Sequence, residues 1–212
     1  LTIPQHTIVT ALDVGQGDAI LIQTPQLQNI LIDGGHDSSV LSGLGKHLPF
    51  YNQKIDLIIV THAHADHFAG LIDVLNRFQV DKIMMTEVAG DSELYQKFEE
   101  AIQAKHIPIE RPHIGKSIRF SSQDRARGIY LLYPFTAFKN ANLENINNAS
   151  IVAFLDDEKD VLFTGDAEAE VEQKLVDHHL VFHADILKAG HHGSKTSTSQ
   201  AFLDRIAPAH AI

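Results

Sequence analysis

The sequence contains no cysteine, which excludes disulfides, thiolate metal ligands and cysteine nucleophiles. No apolar run reaches the ~20 residues that a membrane-spanning helix needs, and no signal-peptide pattern is present. Positive charge is scarce, with 17 Lys and Arg against 27 Asp and Glu and a net charge of −10. This balance argues against broad electrostatic adhesion to nucleic acid or anionic membranes, although it allows a local basic patch.

The composition is that of a soluble globular protein, with 44% hydrophobic and 21% charged residues. A length of 212 residues suits one domain with a sizeable core, so we expect a single domain over residues 1–212. The chain begins at Leu1 and ends as a new apolar strand starts at Ala211. Both ends favour a fragment of a longer protein, or a product of processing.

The most informative stretch is 61–67, Thr-His-Ala-His-Ala-Asp-His, which directly follows the apolar run 55–60. An extended segment points His62 and His64 to one side, because they are two residues apart. Asp66 and His67 fall where the apolar spacing becomes helical. A strand that turns into a helix presents such side chains to a crevice, and four nitrogen and oxygen donors suit Zn²⁺. A histidine-rich surface loop is the alternative, disfavoured by the buried strand before it.

Two later strands also end in potential ligands. The run 160–163 leads to Asp166, and the run 185–189 leads to His191 and His192. A carboxylate between two histidine clusters can bridge two cations about 3.5–4 Å apart. Taken singly, Asp166 is more typical of a helix N-cap than of a metal ligand, and the histidine pair is equally typical of a polar turn.

The hydrophobic pattern predicts strands and helices in an order typical of an α+β protein. Short strands over 8–14, 19–24 and 29–32 form an antiparallel meander, and a helix over 38–48 ends at Pro49. Residues 138–148 are predicted to form a polar loop. The other predicted strands are 55–60, 80–85, 117–120, 129–133, 151–155, 160–163 and 185–189, with helices following residues 66, 93, 168 and 199. We therefore expect two sheets sandwiched between helices.

The His-x-His-x-Asp-His pattern at 62–67 is the defining motif of the metallo-β-lactamase superfamily. More closely, the chain resembles the extracellular metallo-β-lactamase domain of ComEC-type competence proteins, which take up DNA. The stretches that carry this resemblance are residues 12–18 (LDVGQGD), 147–150 (NNAS), 162–166 (LFTGD) and 187–194 (LKAGHHGS). The resemblance implies a four-layer αββα fold of class α+β with a dinuclear metal centre.

The resemblance also implies the metal ligands. They are His62 and His64 for the first metal, Asp66 and His67 for the second, Asp166 as the bridge, and either His192 or His191 to complete the second site. His192 is preferred because the last ligand of the superfamily usually precedes a small residue, here Gly193. The other histidine would support the site or contact substrate.

One departure from the superfamily concerns a further histidine ligand, which usually lies between the first motif and the bridging aspartate. Here the corresponding stretch is 147–150, and Asn148 or its neighbours Asn147 and Ser150 would take the place of the imidazole. An oxygen donor in place of an imidazole would bind the first metal ion more weakly and would favour a harder cation. The two divalent metal ions are therefore expected to be Zn²⁺ or Mn²⁺.

The reaction class implied by such a centre is hydrolysis, because two metals bind a water and lower its pKa. Asp66 and His67 are the expected catalytic residues, with Asp66 as proton acceptor. The family implies a nuclease or phosphodiesterase acting on single-stranded DNA during uptake. It also implies a membrane channel domain as partner and a position on the extracellular face of the membrane.

Candidate substrate contacts flank the predicted ligands, and each can also be an ordinary solvated side chain. They are Ser194, Lys195, Lys188, Asp13 and Gln16. Two other functions stay open. The first is another hydrolase, similar to a phosphorylcholine esterase, thioesterase or lactamase, which an apolar groove would favour. The second is a non-catalytic metal-binding domain of a DNA-uptake channel.

Overall fold

The computed structural model describes residues 5–120, 127–138 and 143–212. The chain forms two compact units, the first ending at Arg111 and the second beginning at Pro112. Each unit contains a six-stranded mixed sheet together with helices, in agreement with the predicted α+β class. The assignment of residues 1–212 to a single domain stays a prediction.

The first unit starts with an antiparallel meander and continues with parallel strands. The meander consists of β1 (Ile8–Ala11), β2 (Ile20–Gln23) and β3 (Asn29–Ile32). The parallel strands are β5 (Leu57–Val60), β7 (Ile83–Met85) and β8 (Ile109–Glu110), and a separate parallel pair joins β4 (Lys54–Ile55) to β6 (Gln79–Val80). The helices are α1 (Ser39–His47), α2 (Ala65–Arg77) and α3 (Glu93–Ala104).

The core of the first unit lies between these helices and the central strands. Every residue of β3 and β5 is buried, as expected for strands covered on both faces. Phe68 of α2 packs its ring against Tyr95 and Phe98 of α3, with centroid distances of 5.3 and 5.4 Å. Burial raises the pKa of Tyr95 to about 12. Helix α2, which begins within the histidine motif, is thus fixed by aromatic packing.

The second unit repeats this plan. Its antiparallel strands are β9 (Ser117–Arg119), β10 (Gly128–Tyr133), β11 (Val152–Asp156) and β12 (Val161–Phe163). The parallel strands β13 (Ile186–Leu187) and β14 (His210–Ala211) follow, with helices α4 (Ala169–Asp177) and α5 (Gln200–Ile206). Two 3₁₀ turns, Ile146–Ala149 and Gly190–Gly193, lie beside the predicted ligands.

The structure corrects several element boundaries. The apolar runs 55–60 and 80–85 are each broken, because their first residues pair with each other as β4 and β6 and the later residues enter the main sheet. Residues 185–189 contribute only the two-residue strand β13. Residues 139–142 of the predicted loop lie outside the described residues, and its end forms the 3₁₀ turn Ile146–Ala149. None of the helices in the described ranges is long and apolar enough to cross a membrane.

Candidate metal centre

The first donor set, defined here as His62, His64, Asp66 and His67, occupies the turn from β5 into α2. The ring nitrogens His62 Nε2 and His64 Nδ1 face each other at 3.1 Å. Two nitrogen ligands ~2.0 Å from one tetrahedral ion lie about 3.3 Å apart. The two imidazoles therefore already have the separation that ligands of one metal ion require.

Asp33 lies beneath this turn and is fully buried. Its carboxylate accepts hydrogen bonds from the Thr61 N–H and hydroxyl at 2.8 and 2.7 Å, and lies 2.8 Å from His67 Nδ1. Burial raises the pKa of the Asp33 carboxyl above its ordinary value, and the neighbouring His67 opposes the rise. When His67 Nδ1 donates to this carboxylate, its Nε2 is left as the nitrogen that can bind a metal.

Close backbone approaches hold the loops of the first unit against α2. A Cβ at Gly17, where φ is +96°, would lie 1.8 Å from the Asp66 carbonyl oxygen. A Cβ at Gly70 would lie 2.1 Å from the carbonyl oxygen of Gly34. The backbone N–H of Gly34 donates to the His67 carbonyl at 2.7 Å. Only glycine permits these approaches, so these glycines fix the start of α2 and the residues on it.

A further carboxylate, Asp18, follows Gly17 in the same turn. Asp18, Asp33 and His67 each offer one potential ligand atom, and these atoms lie within 4.8 Å of one another. The Asp18 Oδ2 atom lies 4.0 Å from His67 Nδ1. The carboxylate of Asp33 already accepts two hydrogen bonds from Thr61. This favours an orienting function for Asp33 over metal ligation.

The second donor set, defined here as Asp166, His191 and His192, lies in the second unit after β12 and β13. His192 Nε2 lies 3.4 Å from Asp166 Oδ2, whereas His191 Nε2 lies 4.0 Å away. The shorter separation is close to the about 3.3 Å expected for two ligands of one ion. This geometry favours His192 over His191 as the ligand.

Both histidines of the pair have left-handed backbone conformations, with φ of 46° for His191 and 51° for His192. Such conformations are strained for residues other than glycine and persist only where the surroundings enforce them. Here the Ser197 hydroxyl donates to the Gly190 carbonyl at 2.6 Å, and Thr198 Oγ1 accepts from the Gly190 N–H at 3.1 Å. The loop after the pair therefore holds the turn in place.

That loop is in turn fastened to α4 by Glu172, whose side chain is only 1% exposed. Its carboxylate accepts hydrogen bonds from the backbone N–H groups of Thr198 and Ser199, the latter at 2.8 Å. The Ala169 N–H also donates to the Thr196 carbonyl at 3.0 Å. Because α4 begins at Ala169, three residues after Asp166, it links the carboxylate and the histidine pair of the second donor set.

The stretch 147–150 supports the turn that carries Asp166. Ser150 Oγ accepts from the Asp166 N–H at 3.0 Å, and Asn148 Oδ1 accepts from the Glu168 N–H at 3.3 Å. The Asn148 amide group donates to Glu170 at 3.2 Å. Both polar groups of Asn148 are thus used within the protein. This favours a supporting function for Asn148 over the metal ligation expected from the sequence.

The carboxylate of Glu168 lies beside the ring of His191. Glu168 Oε1 is 3.4 Å from His191 Nδ1 and accepts from the Thr196 hydroxyl at 3.1 Å. Although burial acts to raise the pKa of Glu168, hydrogen bonds from Asn147, Asn145 and Thr196 bring it below its ordinary value. The carboxylate therefore stays charged and orients the His191 ring.

The expected substrate contacts occupy different environments. Lys188 is 5% exposed, and its ammonium lies 3.8 Å from Asp166 Oδ1. This placement favours charge balance at Asp166 over contact with a phosphate. Lys195, by contrast, is exposed and Ser194 is half-buried. In the first unit, Asp13 and Gln16 have exposed side chains at the turn between β1 and β2.

In a comparison with protein families, residues 12–145 match the model of the metallo-β-lactamase superfamily. The chain belongs to this superfamily. The predicted fold class and family are therefore confirmed, and the first donor set lies within the matched region. The second donor set follows that region.

Curated relatives of this metallo-β-lactamase chain include competence proteins. It is 28% identical to ComE operon protein 3 of Bacillus subtilis and 31% identical to Recombination protein 2 of Haemophilus influenzae. Each alignment covers 96% of this chain but only 28% and 24% of the relative, so the chain spans about a quarter of their length. The metallo-β-lactamase fold protein YhfI from Bacillus subtilis has a similar structure, with a TM-score of 0.56 and 18% identity over 87% of this chain and 71% of that one.

Sequence reasoning identified the histidines and Asp166 as candidates but missed the residues that hold them. Asp33 ends a predicted strand, and its burial could have been suspected from the apolar run before it. Glu172 stands among several glutamates of α4, and nothing in the sequence separates it from its exposed neighbours Glu170 and Gln173. Such supporting residues emerge only when the loops are folded together.

Proposed function

We propose that this chain is a metal-dependent hydrolase that cleaves phosphodiesters, with single-stranded DNA as substrate during DNA uptake. The observation that carries the proposal is the facing pair His62 Nε2 and His64 Nδ1 at 3.1 Å, in a turn where Asp33 orients His67. The curated relatives, ComE operon protein 3 among them, support the connection with competence.

The proposed centre combines both donor sets and holds two divalent cations, Zn²⁺ or Mn²⁺. Its ligands are His62, His64, Asp66, His67, Asp166 and His192. Two bound cations would supply Lewis acidity for activating a water and for stabilising negative charge on phosphoryl oxygens. The imidazole and carboxylate donors match what these metals bind, and the separations within each set fit ligands of one ion.

The protein side chains contribute orientation and proton transfer. Asp33 fixes the ring of His67, and Glu168 fixes the ring of His191 next to the proposed substrate position. Asp66, in the first turn of α2, accepts the proton of the attacking water. Lys195 and Ser194, on the loop after His192, contact the phosphate backbone of the substrate.

The proposed location is the extracellular face of the cell membrane, with the chain joined to, or partnered by, a membrane channel domain. The small share of its relatives that the chain covers supports this arrangement, because most of each relative lies outside the similarity. A channel would also raise the local concentration of DNA, which the net charge of −10 otherwise repels.

That same acidity is the observation that favours a second function, hydrolysis of a small substrate such as a phosphorylcholine ester, a thioester or a β-lactam. A protein of net negative charge repels a small substrate with few charges less than it repels a polyanion. The two functions predict different substrate preferences with the same metal centre.

The test is cleavage of bis-p-nitrophenyl phosphate and of labelled single-stranded and duplex DNA with Mn²⁺ or Zn²⁺, beside a thioester and a β-lactam. The protein is expected to cleave the single-stranded DNA in preference to the duplex, slowly and with a steep decrease as salt increases. His67→Ala should abolish cleavage, while His47→Ala, an exposed histidine on α1, should retain it. Cleavage of only the thioester or the β-lactam, or equal rates in His67→Ala, would overturn the nuclease proposal.

A further inference from the structure

The amide of Asn147 is buried in the second unit, with 5% of the residue exposed. Its nitrogen Nδ2 lies 3.4 Å from Glu168 Oε1 and 3.4 Å from His191 Nδ1. Its oxygen Oδ1 is also buried, yet it has no hydrogen-bond partner within residues 5–120, 127–138 and 143–212. A buried carbonyl oxygen without a donor costs free energy, so the site is incomplete without a further group.

The orientation of this amide follows from its neighbours. Turning the amide over would place Oδ1 against the carboxylate of Glu168, which is itself an acceptor. The Asn147 backbone is fixed as well, because its N–H donates to Asn145 Oδ1 at 3.0 Å. The oxygen is therefore held away from Glu168 and is not free to find a partner there.

The position of Asn147 connects it to Asp166. Within the same four residues, Ser150 accepts from the Asp166 N–H and Asn148 accepts from the Glu168 N–H. The polar side chains of Asn148 and Ser150 are thus used to build the Asp166 turn. Asn147 Oδ1, by contrast, is buried and has no hydrogen-bond partner among the described residues.

We propose that Asn147 Oδ1 is an oxygen ligand for the divalent cation that Asp166 binds. The inference rests on the proposed function, because it requires a metal at the second donor set. An amide oxygen is a neutral, hard donor of the kind that Mn²⁺ accepts more readily than thiolate-binding metals do. The assignment replaces Asn148 by Asn147 and makes the centre richer in oxygen, which favours Mn²⁺ relative to Zn²⁺.

The experiment is a Mn²⁺ titration, followed by calorimetry and electron paramagnetic resonance, of the wild type, Asn147→Leu, Asn147→Asp and Asn148→Leu. Thermal unfolding of the metal-free proteins is measured beside it. Asn147→Leu has a similar volume and lacks the oxygen, so it should lose about tenfold or more in Mn²⁺ affinity at one site. Its metal-free melting temperature should fall less than that of Asn148→Leu, because it loses the single Nδ2 contact with Glu168 whereas Asn148→Leu loses two hydrogen bonds.

The other two variants sharpen the result. Asn148→Leu should show the opposite behaviour, with a lower metal-free melting temperature through loss of the Glu168 contact and less than about a threefold change in Mn²⁺ affinity. Asn147→Asp keeps the Oδ1 position but places a second oxygen against the Glu168 carboxylate, so it should bind Mn²⁺ more tightly than Asn147→Leu. The Asp variant also serves if the Leu variant does not fold.

Several results would overturn the inference while leaving the proposed function intact. They are unchanged Mn²⁺ affinity in Asn147→Leu, an affinity of Asn147→Asp no higher than that of Asn147→Leu, or loss of affinity in Asn148→Leu alone. A wild type that binds neither Mn²⁺ nor Zn²⁺ would overturn the proposed function itself. The two failures are therefore distinguishable.

Discussion

The two donor sets are held in place by different means. In the first unit the histidine turn is fixed by backbone packing, where Gly17 and Gly70 touch neighbouring carbonyl groups, and by the fully buried Asp33. In the second unit Asp166 and the histidine pair are fixed by a set of polar side chains, among them Ser150 and Glu172. The first set is built by close packing within one strand–helix connection, and the second by hydrogen bonds between separate segments.

The difference has an energetic meaning. A backbone contact that admits no Cβ leaves little room for movement, so the first set should be rigid whether or not a metal is present. Hydrogen bonds between loops are individually worth about 0.5–1.5 kcal/mol, so the second set depends on several weaker contacts. Variants that remove one supporting contact from each set should therefore lower the free energy of unfolding by different amounts.

The largest effect is expected for Asp33→Ala. The substitution leaves the Thr61 N–H, the Thr61 hydroxyl and His67 Nδ1 without their common acceptor in the interior. Breaking a buried pair of this kind costs about 3–5 kcal/mol. We expect a loss of that size in the free energy of unfolding, measured by urea denaturation of the metal-free protein.

Asp33→Asn provides the matched comparison, because it can still accept from Thr61 and should cost less than Asp33→Ala. A loss below about 1 kcal/mol in Asp33→Ala, within the range of ordinary surface substitutions, would show that Asp33 does not support the first set.

The next effect concerns Gly70, in the second turn of α2. A methyl group there would lie 2.1 Å from the Gly34 carbonyl oxygen and 2.4 Å from that of Asp37. Overpacking against backbone costs about 1–3 kcal/mol or more. Gly70→Ala should therefore lower the melting temperature, although alanine is the better helix former.

Gly45→Ala in α1 is the control, because nothing lies within 4 Å of the added methyl group. It should stabilise the protein by about 0.5–1 kcal/mol. Equal and positive shifts in melting temperature for both variants would contradict close packing around the first set.

The smallest of the three effects is expected for Glu172→Gln. The glutamine oxygen can accept from one of the Thr198 and Ser199 N–H groups, but its amide nitrogen would face the other. The expected cost is about 1–3 kcal/mol, for one unsatisfied buried N–H. Because Glu172 fastens the loop that follows His192, hydrogen exchange at Thr198 and Ser199 should become faster.

Gln173→Ala, which alters an exposed neighbour on the same helix, should leave exchange at these amides unchanged. If Glu172→Gln leaves it unchanged too, then α4 does not hold the loop of the second set.

The same contrast explains how much the sequence could predict. The histidine turn was predictable because its donors are contiguous, follow a buried strand and form a motif of known meaning. Asp166 was predictable only with the first motif in view, since alone it is typical of a helix N-cap. Whether Asn148, Asn147 or Ser150 faces a metal stays a prediction, because which amide faces Glu168 and which accepts from the Glu168 N–H depends on a 3₁₀ turn that propensity does not specify.

Strand boundaries were less predictable than ligands. Residues 55–60 are apolar except for Asp56. The Asp56 carboxylate accepts from the Asn29 N–H, and this residue separates β4 from β5. Likewise β8 and β13, with two residues each, are too short to give a periodic signal. Their positions are determined by parallel pairing with strands that are distant in sequence.

The central proposal is that His62, His64, Asp66, His67, Asp166 and His192 hold two divalent metal ions. The most direct test is the anomalous diffraction signal of a crystal grown with Mn²⁺, compared with that of Asp166→Asn. We predict two peaks about 3.5–4 Å apart in the wild type, with ligands from both sets, and loss of at least one peak in the variant. A single peak bound by the first set alone, or two unaltered peaks in Asp166→Asn, would contradict the account.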